Sequence, residues 1–299
     1  MRLGFGLGLQ YSKLSGGGSG FEGMLDLFPN GSFAASIRKL KANYADDSTT
    51  VRRDNSDQLG IGFANNELNE PELVTFADGG DAFNVDFKDQ TGNGSNFSQG
   101  SAASQPKIVS NGTVIKANTK PTLSYDGTND QLRCPATDFV TATNKLQVSV
   151  VCKNNSTNVD NQTIIAQYDS DNNKRSWAFR FFDGVMEIIF GKTDDGTFSS
   201  GYRASTSISL ENLNSLGFTF DSGVVVLYAN GSVIDGREVS RTVPTLLFDS
   251  NADVTIGCVI SSGSTLFWDG QISEAYVADN LTDSIVEIQQ NQMEYFNIT

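Results

Sequence analysis

The chain contains no histidine. That absence removes Ser–His–Asp and Cys–His nucleophile systems and every His-ligated metal centre. Cysteine is nearly as scarce, with only Cys134, Cys152 and Cys258 in 299 residues. So low and odd a number argues against a disulfide framework and fits folding in a reducing cytosol. Cys152 and Cys258 sit in runs of Val, Ile and Leu, where a free thiol acts as a small apolar side chain. No stretch approaches the roughly 20 apolar residues that a bilayer span requires. The opening Met1 to Gln10 is interrupted by Gly4, Gly6 and Gly8 with no small-residue cleavage site after it, so export by a signal peptide is not expected. Basic clusters are missing too. The balance of 21 Lys+Arg against 35 Asp+Glu gives a net charge of −14, which phosphate backbones repel. No nucleic-acid partner is expected, and the acidity reads as solubility.

What the chain does have is 29 Gly and 20 Phe, with Asn-Gly, Asp-Gly and Ser-Gly pairs separating short apolar runs. Period-two alternation recurs in Leu146/Val148/Val150/Cys152, Trp177/Phe179/Phe181, Leu216/Phe218/Phe220, Val224/Val226/Tyr228 and Val254/Ile256/Cys258. Amphipathic strands joined by tight turns predict two packed antiparallel sheets over 121–280. Val148, Val150, Phe218, Phe220, Val226 and Ile256 are the expected core. Ser284-Ile285-Val286-Glu287 has capping-box spacing, and Ile285, Ile288, Met293 and Phe296 line one face of a terminal helix. In the N-terminal part, Phe33, Ile37, Leu40 and Tyr44 recur at helical spacing, predicting a helix there, with a second over Glu70 to Ala77. Phe83, Val85 and Phe87 predict a strand, which ends in the turn-forming Asp89-Gln90-Thr91-Gly92-Asn93-Gly94. The first 30 residues close on Gly16-Gly17-Gly18-Ser19-Gly20, the composition of a linker. The expected division is therefore 1–30, an anchoring peptide and linker; 31–120, a small α+β adaptor; and 121–299, a β-sandwich with its terminal helix.

Pro121 to Asp130, with Tyr125-Asp126-Gly127-Thr128-Asn129-Asp130, resembles the opening strand of laminin-G-like, concanavalin A-like jelly rolls. The resemblance continues through Leu146–Lys153, the Leu227-Tyr228-Ala229-Asn230-Gly231 hairpin, Ile256-Gly257 and Asp269-Gly270-Gln271-Ile272-Ser273-Glu274. Each motif is weak by itself; the ordered set is fairly specific. Further upstream, Ala34–Leu40, Val51-Arg52-Arg53-Asp54, Ile61-Gly62-Phe63 and Asp89–Gly94 resemble the first part of arabinofuranosidase B-type domains. They also resemble a module that precedes laminin-G-like domains in phage tail, fibre and head-surface proteins, which is the closer match because the two modules adjoin in that order.

The arabinofuranosidase resemblance implies catalytic carboxylates near an adjacent Cys-Cys pair, and no such pair occurs. Glycoside hydrolysis needs two carboxylates about 5–9 Å apart. Glu187, in Val185-Met186-Glu187-Ile188-Ile189, has no acidic companion at that spacing. No enzyme activity is expected. The jelly-roll resemblance raises structural calcium, and Asp169-Ser170-Asp171-Asn172-Asn173 opens like an EF-hand loop. Its sixth and twelfth positions are Lys174 and Arg180, so a polar hairpin tip is the simpler reading. No cofactor is expected beyond that open question. For a glycan, the informative segment is Gly191 to Arg203, with Asp194, Asp195, Tyr202 and Arg203 supplying charge and an aromatic face.

Taken with the resemblance, these features imply a non-enzymatic bacteriophage protein made in the host cytoplasm and exposed on the virion as a head or tail decoration, fibre or spike. Its sandwich would adhere to host-surface polysaccharide, and many copies in a homo-oligomeric array would raise avidity. Phe5, Leu7 and Leu9 would anchor it to other virion proteins. The alternatives are a purely structural capsid- or tail-stabilising decoration and a glycoside hydrolase-related enzyme.

Overall fold

The computed structural model describes residues 20–136, 143–155, 160–261 and 263–299. Two layers of antiparallel strands enclose one core. The first sheet runs Asp269–Ala278, Lys145–Asn154, Asn214–Asp221, Val224–Ala229 and Ser232–Ile234. Phe33–Ser36 and Leu123–Asp126 share the far edge of Asp269–Ala278. The second sheet runs Leu132–Cys134, Val254–Ile256, Gln162–Asp169, Lys174–Phe182, Val185–Gly191, Phe198–Ala204 and Gly236–Val239. Aromatic rings meet between the layers: Trp177 and Phe179 lie edge-on to Phe218 at 6.0 and 5.7 Å, and Phe190 lies 5.6 Å from Phe220. These rings are fully buried, as the alternation predicts. The mainly β, sandwich-type architecture with a terminal helix is thus observed.

Val226 was expected in the core, and the structure corrects this. Val225 and Leu227 point inward while Val224 is 64% exposed. The cause is the two-residue Ser222-Gly223 turn, both residues at positive φ, which sets Asp221 opposite Val224. Phe220 and Phe218 then face Val225 and Leu227 across the ladder, and parity follows from the turn.

A second correction concerns the helix expected from Phe33 to Tyr44. Phe33–Ser36 is a strand paired in register with Glu274 to Val277. All four of its residues are buried, so burial on both faces overrides the 3.6-residue pattern. The turn at 89–94 holds it. Asp89 accepts N–H bonds from Ala34, Thr91, Asn93 and Gly94, and Gln90 Nε2 donates to the Ser36 and Arg38 carbonyls. The helix at Glu70–Ala77 and the strand at Ala82–Phe87 are present as expected.

Residues 31–120 and the sandwich share a single hydrophobic cluster, in which Phe33, Val51, Phe87 and Ile108 join Val148, Phe218 and Ile256. The chosen boundary at 120 falls inside Lys120–Pro121, which pairs with Lys116–Ala117. Helix Ile285–Phe296 begins at Ser284, whose side chain accepts from the Glu287 amide. It covers the outer face of the first sheet: Ser149 Oγ and Ser215 Oγ donate to Gln292 Oε1 at 2.8 and 2.6 Å, and Gly231 N donates to Gln289 Oε1. Among the described residues no helix is long and apolar enough to cross a membrane. All three cysteines are buried.

Candidate functional site

The outer face of the second sheet is where charged side chains have been assembled. Its organiser is the Asp183-Gly184 turn, with φ of 50° and 73°, which sets Phe182 opposite Val185 and therefore Arg180 opposite Glu187. Phe179, Phe181, Met186 and Ile188 fill the core, so Arg180 and Glu187 project outward. The next strands continue the row: Glu187 faces Arg203, and Arg203 faces Arg237 on the edge strand Gly236–Val239.

Glu187 is gripped from both sides. Arg180 Nε and Nη2 reach Oε2 at 2.9 and 2.7 Å, and Arg203 Nε and Nη2 reach Oε1 at 3.1 and 2.9 Å. The carboxylate side chain is 3% exposed, against 16% and 23% for its two arginines. Both guanidinium groups lie over the Phe182 ring, 4.9 and 4.6 Å from its centre. Arg180 Nη1 also donates to Asn161, and Arg203 Nη1 stands 3.8 Å from Asp183. Beside the row Gly201 is tightly enclosed: a Cβ there would lie 2.8 Å from Val239 Cγ2 and 3.0 Å from Glu187 Oε1. Ala166, Ala178 and Ile189 are buried beside it, packed with Tyr168, Val259 and Leu266.

The four residues singled out from the sequence do not form one cluster. Asp194 and Asp195 occupy the turn between Val185–Gly191 and Phe198–Ala204, roughly 20 Å along the strand from Arg203 at about 3.3 Å per residue. Asp195 accepts from the amide and hydroxyl of Thr197, which hold its carboxyl below the usual range, and Lys192 adds to this. Tyr202 points inward, opposite Ile188, and donates to the Gly236 carbonyl at 3.1 Å. Only Arg203 belongs to the charged row. Its partners Arg180, Glu187 and Phe182 are not among the expected glycan residues, although the Asp183-Gly184 turn between them gives the pairing. Phe5, Leu7 and Leu9 lie outside the described residues.

Two further acidic groups bear on chemistry. The Asp169 oxygens accept from the Asp171 and Asn172 amides and the Asn172 side chain. Among the described residues no group of three or more Cys, Asp or Glu side chains could hold a metal ion. Burial and the neighbouring Asp126 push Asp130 up to about 7. Asp126 itself is committed to the turn, accepting from the amides of Thr128, Asn129 and Asp130. Separately, a cleft of about 200 Å³ beside the terminal helix is lined by Phe21, Arg38, Asn65, Asn66, Glu67 and Tyr295.

Residues 126–284 match the family of the concanavalin A-like lectin/glucanases superfamily, and this span is more than half of the chain. The chain belongs to that superfamily, as a laminin-G-like member. Among solved structures, a GH54 α-L-arabinofuranosidase superposes with a TM-score of 0.61 at 11% identity, over 87% of this chain and 62% of that one. An arabinofuranosidase complexed with arabinofuranosyl-α-1,2-xylobiose gives 0.61 at 14% identity, over 88% and 61%. The binding domain of Paraclostridial Mosquitocidal Protein 1 gives 0.50 at 11%, over 84% and 53%. At these identities the likeness is one of fold, and the chain spans about three fifths of the arabinofuranosidase chains. No curated protein sequence matches it.

Proposed function

We propose that this protein binds carbohydrate without turning it over, and that it does so from the surface of a bacteriophage particle. The observation that carries the binding reading is the Arg180–Glu187–Arg203 row on the second sheet. Guanidinium groups fixed over an aromatic ring by a buried carboxylate keep their remaining Nη hydrogens in set positions for a polar ligand, and little order is lost when these engage it. The same arrangement argues against hydrolysis at this place. Both Glu187 oxygens are taken by arginine donors, and Asp183 joins the network only through Arg203. A general acid and its partner carboxylate need free access to the bond between them.

The phage setting is supported by the resemblance of the upstream segments and by their order before the laminin-G-like part. In that setting residues 1–30 would attach to the particle, with 31–120 as the adaptor and copies of the chain side by side. The arabinofuranosidase fold favours a second reading, a glycoside hydrolase-related enzyme. One experiment separates the two. Purified protein is incubated with arabinan, laminarin and host polysaccharide, and both retention on the polymer and released reducing sugar are measured. Retention with no released sugar is the expected result. Sugar release that disappears on substituting one Asp or Glu would establish the enzyme instead.

A further inference from the structure

We infer that the ligand of this face is a saccharide carrying an isolated carboxylate, and that the acid docks between Arg203 and Arg237. The inference rests on the glycan-binding reading and names its ligand class. Arg203 and Arg237 stand directly opposite each other on neighbouring strands. Such strands are about 4.8 Å apart, and like charges facing across them repel. Glu187 offsets Arg203 from one side only, and it is shared with Arg180. Among the described residues no carboxylate pairs with Arg237, which is exposed. Three arginines against Glu187 and Asp183 leave one excess positive charge, in a chain whose net charge is −14. A carboxylate held by the Arg237 fork and the outward Nη edge of Arg203 removes the repulsion and gains charge-assisted hydrogen bonds.

The surrounding acidity sets the density of ligand charge. Beyond a Debye length of about 8 Å a dense polyanion would meet the rest of a negative surface. An acid group flanked by neutral sugars meets only the arginine pair.

The test uses the whole protein on an array of matched glycans: uronate-bearing oligosaccharides, their carboxyl-reduced counterparts, neutral arabino- and gluco-oligosaccharides, and heparin. Binding to the sparsely acidic set is expected, weakened at least about tenfold by carboxyl reduction and by Arg237→Ala, and falling as salt rises. Arg237 is exposed, so Arg237→Ala should melt close to the wild type. Arg203→Lys, which keeps charge but loses the fork, should bind at an intermediate level. Equal binding of acidic and reduced glycans, or full binding by Arg237→Ala, would overturn the acid assignment and leave the glycan reading in place. Preference for heparin would overturn the charge-density argument. Retention of no glycan at all would remove both readings together.

Discussion

Arg38 and Glu274 form a buried ion pair, Nε to Oε2 at 2.7 Å and Nη2 to Oε1 at 3.0 Å, that ties the N-terminal segment to the last strand of the first sheet. Ser36 Oγ donates to the same carboxylate, and the guanidinium lies 4.6 Å from the Tyr295 ring of the terminal helix. Removing one partner strands the other charge in the interior. Arg38→Ala should therefore cost about 3–5 kcal/mol in urea unfolding, and Arg38→Met with Glu274→Leu distinctly less. Equal losses in the single and double variants would show that the pair's packing matters more than its charge.

The parity of Val224–Ala229 has a direct test. Val225 is 5% exposed and Val224 64%. Val225→Asp should cost at least about 3 kcal/mol by burying an unpaired carboxylate, while Val224→Asp should stay within about 0.5 kcal/mol. Comparable midpoints for the two variants would contradict the register.

Asp130 gives the stability a pH dependence of unusual sign. Desolvation, then Asp126, raises its carboxyl to about 7, while Lys107 and the Asp126 amide pull the other way. The folded protein therefore holds this proton more tightly than the unfolded chain, whose value is near 4. The associated stability is complete below pH ~4 and is lost as pH rises through about 7. Asp130→Asn keeps an acceptor for the Asp126 amide and removes the titration. Relative to wild type its unfolding free energy should rise between pH 4.5 and 8, by an amount on the order of 1 kcal/mol after solvent screening, with the melting temperature following. A difference that is flat with pH would show that Asp130 titrates normally.

Gly196 closes the turn that carries Asp194 and Asp195. Its φ is +64°, and a Cβ there would lie 1.8 Å from the Asn173 carbonyl oxygen. Gly196→Ala should destabilise by about 1–3 kcal/mol and speed amide exchange at Arg175, whose N–H donates to the Gly196 carbonyl. Wild-type exchange at Arg175 would mean that the two turns are not in contact.

How much could be read from the residues depended on how local their causes are. The strands around Val148, Phe179 and Phe218 announce themselves by alternation, and Asn230-Gly231 is a two-residue turn with both φ positive, as its sequence demands. The inverted parity after Ser222-Gly223 and the Arg180–Glu187 pairing across Asp183-Gly184 were also within reach, because a two-residue turn fixes its own register. Arg203 was harder to place. Its position opposite Glu187 depends on a six-residue connection and on a ladder irregularity between Phe190 and Gly191. The Phe33–Ser36 strand was out of reach for a different reason, since its partner is at the other end of the chain.

That partnership governs how the molecule can be made. Ser36 and Glu274 are 238 positions apart, so a nascent chain elongating at roughly 5–20 residues per second holds its first strand without a partner for roughly 10–50 s. During synthesis Asp89 and Gln90 can take the amide and carbonyl of Ala34, but the edge that pairs with Ala275 stays open at Ala35 to any passing strand. Translation must pass residue 270 before the first sheet can gain its edge, and a ribosome that stops short of it would release a polypeptide with no means of closing its own fold.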